Sequence, residues 1–130
     1  YVKADFSQIF HDELHNIFTE TLNFIKKNQN INKTFDHRIR LGIMSILMVN
    51  EEADFNTLKE LLGVTDGNLA SHIKALENES YIRIEKQFIG KKPNTKYAAT
   101  LEGKNAFRQH LEALEKLIKL NDLLGNYLEK

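Results

Sequence analysis

Residues 55–81 read FNTLKELLGVTDGNLASHIKALENESY, and the fold is decided there. Two short helical patterns meet across a tight break. In the first, Leu58, Leu61 and Leu62 make one inward face, Asn56 stands where a cap belongs, and Gly63 ends the run. In the second, Thr65 offers its hydroxyl to the amide near Asn68, and Asp66 suits the positive end of the helix dipole. Leu69, Ile73 and Leu76 then recur at spacings of 4 and 3, the period of a helix with one buried stripe. Its other face (Asn68, Ser71, His72, Lys74 and Ala75) is small or polar and has little reason to be buried. The Asp66-Gly67 pair also suits a hairpin turn, but its flanks lack the alternation of strands.

From Tyr81 the period changes. Tyr81, Ile82, Ile84, Phe88 and Ile89, and later Lys96 to Ala99, read as two strands. Gly90-Lys91-Lys92-Pro93-Asn94 is the turn between them. The full chain of 130 residues carries 18 basic and 18 acidic side chains, a balance unlike the basic excess of many small DNA-binding domains. The charge is unevenly spread, however. Between Tyr81 and Ala99 stand Arg83, Lys86, Lys91, Lys92 and Lys96 against the single acid Glu85.

The flanks supply helices. Asp5 or Ser7 caps a first one reaching about Lys27, with Phe10, Leu14, Ile17 and Phe24 on a stripe that skips Thr21 and that Ile9, Phe18, Leu22 and Ile25 widen. A polar connection, Asn28 to Thr34, follows. Asp36 is placed to cap a helix over His37 to Val49, whose Ile39, Leu41, Ile43, Met44, Ile46, Leu47 and Met48 make it apolar nearly all round, as the centre of a small domain is. Thr100 caps a last helix with Phe107, Leu111, Leu114 and Ile118 on one stripe and Leu117, Leu120, Leu124 and Leu128 on a second.

Several chemistries are excluded. The chain has no cysteine, so disulfides, thiolate metal sites and cysteine catalysis are out. No nucleophile elbow, glycine-rich phosphate loop or paired carboxylates appear, and neither catalytic residues nor a cofactor are expected. His11 and His15 share a helix face at zinc-protease spacing, but the place of the catalytic glutamate holds Asp12 and no third ligand is near, so no metal is expected. No apolar run approaches the roughly 18 residues of a membrane span and nothing at the start reads as a signal peptide, so the default expectation is cytoplasmic, away from membranes. The chain starts at Tyr1 rather than at a methionine, which leaves room for residues before it.

The stretch Phe55 to Tyr81, the segment FIGKKPNTKY at 88–97 and the AATLEGKNAF that follows it resemble the winged helix-turn-helix regulators related to the MarR and ArsR families. The likeness runs from Phe35 to Leu117, about two thirds of the chain, and its motifs are specific in combination although each is weak alone. The resemblance implies a mainly α fold with a small β-hairpin wing, in which a recognition helix over 66–79 enters the major groove of duplex DNA and a wing over 90–95 meets the phosphate backbone or minor groove. It places DNA contacts on Thr65, Asp66, Gly67, Asn68, Ser71, His72 and Lys74, and on Lys91, Lys92, Asn94 and Lys96 of the wing. His72 serves equally well as a base contact or as a packed side chain on the helix edge. Two positions depart from the pattern: Ser80 stands where a glycine is usual, and Ala98 where a basic side chain is common.

The expected organisation is one winged-helix domain over 1–130: an N-terminal dimerisation helix in 1–34, the core in 35–99, and a C-terminal dimerisation helix in 100–130. Apolar stripes left over on the end helices point to a homodimer formed by Phe10, Leu14, Ile17, Phe24, Leu117, Leu120, Leu124 and Leu128. Two-fold symmetry would set the recognition helices about 34 Å apart on a palindromic site. Repression by occupancy follows from the resemblance, with room for an unidentified small-molecule effector or partner protein. The rival reading is a winged helix that docks a protein and never touches DNA. A continuous positive surface over Lys74, Lys86, Lys91, Lys92 and Lys96 would separate the two.

Overall fold

The structure, a computed structural model, describes residues 5–27 and 30–128, with side chains described from His11 onward except that of Tyr127. The chain runs α1 (Asp5–Lys27), a 3-10 turn (Lys33–Asp36), α2 (Arg38–Val49), β1 (Ala53–Asp54), α3 (Phe55–Leu62), α4 (Asp66–Asn78), β2 (Ile82–Ile89), β3 (Lys92–Ala99) and α5 (Leu101–Leu128). Helices dominate, and the strands form one antiparallel sheet in the order β1-β3-β2. The expected cap of α1 at Asp5 or Ser7 lies outside the described side chains. None of the described helices is long and apolar enough to cross a membrane.

Two compact units make up the chain. The first to consider is Asn32–Arg108, and its core follows from the apolar periods. Ile39, Ile43, Met44 and Leu47 of α2 meet Leu58 of α3, then Leu69, Ile73 and Leu76 of α4; Ile82, Tyr97 and Ala99 of the sheet close it. Phe35 stacks on Tyr81 at 5.4 Å and meets the edge of Phe107 at 5.2 Å, while Asn32 donates to the Tyr81 hydroxyl at 2.8 Å. Those rings fasten the 3-10 turn and the start of α5 to the same core.

Two helix starts are set by side chains one or two residues from where the sequence suggested. Asp54, not Asn56, caps α3, its carboxylate accepting from Thr57 N at 2.8 Å. That bond, made by both backbone and side chain of Thr57, holds the Asp54 carboxyl below its ordinary value. His37, not Asp36, caps α2 through Nδ1, which accepts from Ile39 N at 3.1 Å; Asp36 is used in the 3-10 turn that Asn32 caps. Gly63 ends α3 in the left-handed conformation that glycine adopts freely. Leu61, expected inside, is 64% exposed.

The end of α4 is a Schellman motif. Ser80 N donates to Glu77 O and Tyr81 N to Leu76 O, with Ser80 at φ 62°. The missing glycine is therefore met by a serine carrying left-handed strain. The Ser80 carbonyl accepts from the Thr100 hydroxyl at 2.7 Å, and that hydroxyl accepts from Gly103 N at 2.9 Å, capping α5 as expected. A methyl at Gly103 would overlap the Tyr81 carbonyl, so glycine is required there.

The second unit joins Tyr1–Ile31 with Gln109–Lys130. Here the Lys116 ammonium lies 5.1 Å from the Phe24 ring centroid, beside an open cleft lined by Asn16, Thr19, Glu20, Asn23, Phe24, Lys116 and Leu120. Along this part of α5 the buried line is His110, Ala113 and Leu120, with Leu117 and Leu124 half-buried. Leu111 and Ile118, which share a stripe with Phe107 and Leu114 in the sequence, are exposed. A histidine and an alanine gave that inner line no apolar signal to read.

Candidate nucleic-acid interface

Helix α4 is fixed by three side chains. Leu69, Ile73 and Leu76 are buried in the core, so the opposite face is held outward and the helix cannot roll without exposing them. Thr65 caps it, its Oγ1 accepting from Asn68 N at 3.3 Å. Asp66 in the first turn pairs with Lys59 of α3 at 2.7 Å, which ties the start of α4 to the preceding helix. Gly67, Asn68, Ser71 and Lys74 are exposed along the outer face. A methyl at Gly67 would meet no atom within 4 Å, so nothing inside the chain demands glycine there.

His72 is turned toward the protein. Its ring stacks on His37 at 4.0 Å between centroids. Burial chiefly, with His37 and Arg40 beside it, holds its pKa below the ordinary histidine value. The stack leaves His72 half-buried on the edge of the helix.

The sheet then projects as a hairpin. β2 and β3 pair from Ile82↔Ala99 out to Ile89↔Lys92, leaving a two-residue turn, Gly90-Lys91. Gly90 has φ 64° and Lys91 does not share a positive φ, the pattern of a type II′ turn. Lys92, Pro93 and Asn94, read from the sequence as turn, are strand. Proline is tolerated because β1 covers only Tyr97 and Lys96 of β3, so Pro93 lies on an open edge. At about 3.3 Å per residue each arm is roughly 26 Å long, and the core covers only its base: Lys86 to Ile89 are all exposed.

The comparisons with known proteins agree with this architecture. Residues 39–118 match the family described as "Winged helix DNA-binding domain". The chain belongs to that family. An uncharacterized protein of Methanocaldococcus jannaschii is 34% identical over 87 residues, 67% of this chain and 95% of that protein. Among solved structures, a transcriptional regulator homologue from Pyrococcus horikoshii OT3 superposes with a TM-score of 0.64 at 31% identity, covering 77% of this chain and 95% of that one. MarR superposes with a TM-score of 0.59 over 85% of this chain and 78% of its own, at 15% identity, a likeness of fold. The winged-helix fold with MarR-type structural neighbours is thus the one that the resemblance implied.

Within this winged-helix domain the residues named from the sequence fall into two groups. Gly67, Asn68, Ser71, Lys74, Lys91 and Lys92 are open on the surface. Thr65 and Asp66 are exposed as well but engaged within the chain, as are the half-buried His72 and Lys96. Lys96 sits near the base of the wing, where Glu52 accepts its ammonium at 2.9 Å and, by that hydrogen bond, raises its pKa. Asn94 is half-buried, and Ala98 is buried, with no side chain to reach a phosphate. The sequence did not single out Phe88 and Ile89, which are 75% and 66% exposed near the hairpin tip. Two adjacent apolar residues just before a glycine turn, beyond the length a small core covers, were the signal for them.

Of the stripe named for dimerisation, Leu14, Ile17, Phe24, Leu117 and Leu124 are half-buried, Leu120 is buried and Leu128 is exposed; the side chain of Phe10 lies outside the described residues. Phe18, Leu22 and Ile25 on α1, and Leu111, Ile118 and Leu123 on α5, form the more exposed apolar set of that unit. His11 and His15 are exposed, and among the described residues no three metal-ligating side chains gather.

Proposed function

We propose that this protein is a sequence-specific, duplex-DNA-binding transcriptional repressor that acts as a homodimer in the cytoplasm. The observation that carries the reading is the pairing of a helix locked by three buried side chains, with short polar groups outward, and a projecting hairpin whose outer half holds Lys86, Lys91 and Lys92 and no carboxylate. A helix of that kind fits the major groove, where Asn68, Ser71 and Lys74 reach base edges or phosphates. The lysines of the wing meet the backbone. The exposed apolar residues of α1 and α5 are the surface on which two copies join, because a patch of that kind on a small protein marks an interface.

Fluorescence anisotropy of a labelled duplex across a salt series tests this. Binding should weaken steeply with salt, and Lys91→Ala/Lys92→Ala should lower the slope by about one for each lost phosphate contact. Sedimentation should find a dimer at micromolar concentration; a monomer there would sink the homodimer. The protein-docking alternative is favoured by one feature, the mixed charge of α4, where Asp66 and Glu77 outnumber Lys74. An absence of DNA binding even at low salt would select it.

A further inference from the structure

We propose that the tip of the wing is an apolar wedge that enters the minor groove and opens a base step, with Phe88 as the inserted side chain. The inference rests on the DNA-binding reading and deepens it. Phe88 stands directly across from Pro93, and Ile89 across from Lys92, in the last two pairs of the hairpin. Successive residues of a strand point to opposite faces, so Phe88 and Pro93 form one apolar face of the tip and Ile89 lies on the other. Both Phe88 and Ile89 are largely exposed in a region that packs on nothing but its own ladder. Such exposure in a short, stiff element points to a partner that buries it.

Charge selects the partner. From Lys86 to Thr95 the chain carries Lys86, Lys91 and Lys92 and no aspartate or glutamate. An apolar tip framed by lysines complements a polyanion with an apolar interior, which describes stacked base pairs between two phosphate strands. Architectural DNA-binding proteins insert phenylalanine, isoleucine or proline between base steps in this way, unstacking and kinking the duplex. The ladder continues to the last pair and the turn has only two residues, so Phe88 is presented from a paired strand and not from a long loop. It would read sequence without hydrogen bonds, favouring the easily unstacked TA and CA/TG steps.

The chain has no tryptophan, so Phe88→Trp places a single reporter at the tip. With a mixed-sequence duplex containing TA steps, its emission should be quenched by stacking on bases, and donor and acceptor dyes on the duplex ends should report a bend. Phe88→Ala should bind roughly tenfold or more weakly, with an unchanged salt slope and the bend lost. Lys91→Ala/Lys92→Ala should change the slope and keep the quenching. If Phe88→Ala binds and bends DNA like the parent, the wedge is wrong and the DNA-binding reading stands. If the parent protein binds no duplex, both fail. Phe88-dependent binding to phosphatidylserine vesicles with no quenching on DNA would overturn the wedge in favour of a membrane surface.

Discussion

Helix α4 and the β2-β3 hairpin are the two parts to which our proposal assigns DNA, but they are held in opposite ways. The helix hangs on the core: three of its side chains are buried, its cap is made by Thr65, its first turn is tied to Lys59, and His72 leans on His37. The outer hairpin hangs on nothing but its own strand pairing, and its side chains from Lys86 to Lys92 are exposed. The buried face of α4 is therefore part of the fold's stability, whereas its outward face and the wing tip are parts on which the fold does not depend. Substitutions that unfold the protein and substitutions that only unbind it should sort along that line.

The largest effect should come from Leu69→Ala. A fully buried leucine of this kind costs about 2–5 kcal/mol when truncated, because a cavity is left. Lys91→Ala/Lys92→Ala should stay within about 0.5 kcal/mol of the parent, as exposed substitutions do. Urea unfolding of the two variants checks this directly. A wing variant as damaged as the core one would mean that the hairpin tip packs on the body, and the comparison would break.

Gly67→Ala sharpens the comparison from within the helix itself. Glycine early in α4 meets no neighbour, so alanine should raise stability by about 0.5 kcal/mol through helix propensity. If the glycine serves a close approach to DNA, the same substitution should weaken duplex binding by roughly tenfold. Stability up and affinity down is the expected pair, read by thermal unfolding and anisotropy. Equal or tighter binding by the alanine variant would remove Gly67 from the interface.

What the sequence made legible follows from the same division. Leu69, Ile73 and Leu76 announced the inner face of α4, and Thr65, Gly63 and Thr100 announced helix ends, because each acts through neighbours a few residues away. The two-residue strand β1 was invisible: Ala53 and Asp54 are too few to show alternation, and only their distant partners Tyr97 and Lys96 make them a strand. The caps at Asp54 and His37 were missed for a related reason, since the preceding strand and 3-10 turn decide where each helix can begin. The ion pair of Lys96 with Glu52 could not be read from the sequence either, because the two residues lie 44 positions apart. In α5 the buried line ran through His110 and Ala113, residues whose chemistry does not signal burial.

The smallest effect separates a helix that leans on the core from one that merely touches it. Burial first, and then His37 and Arg40, hold the His72 pKa below that of the unfolded chain. Above the ordinary histidine value of about 6.5 neither state of the protein binds this proton, so the stacked arrangement is at full strength. Below that value the unfolded chain takes up the proton first, and stability falls as pH drops through the window between the unfolded and the lowered folded pKa. His72→Gln should flatten that part of the curve, while Lys91→Ala/Lys92→Ala should leave its slope as it was. Urea midpoints followed from pH 7.5 down to about 5.5 would show it. A slope untouched by His72→Gln would mean that His72 binds its proton equally well in the folded and the unfolded chain, so that its burial beside His37 and Arg40 sets no pH dependence of α4.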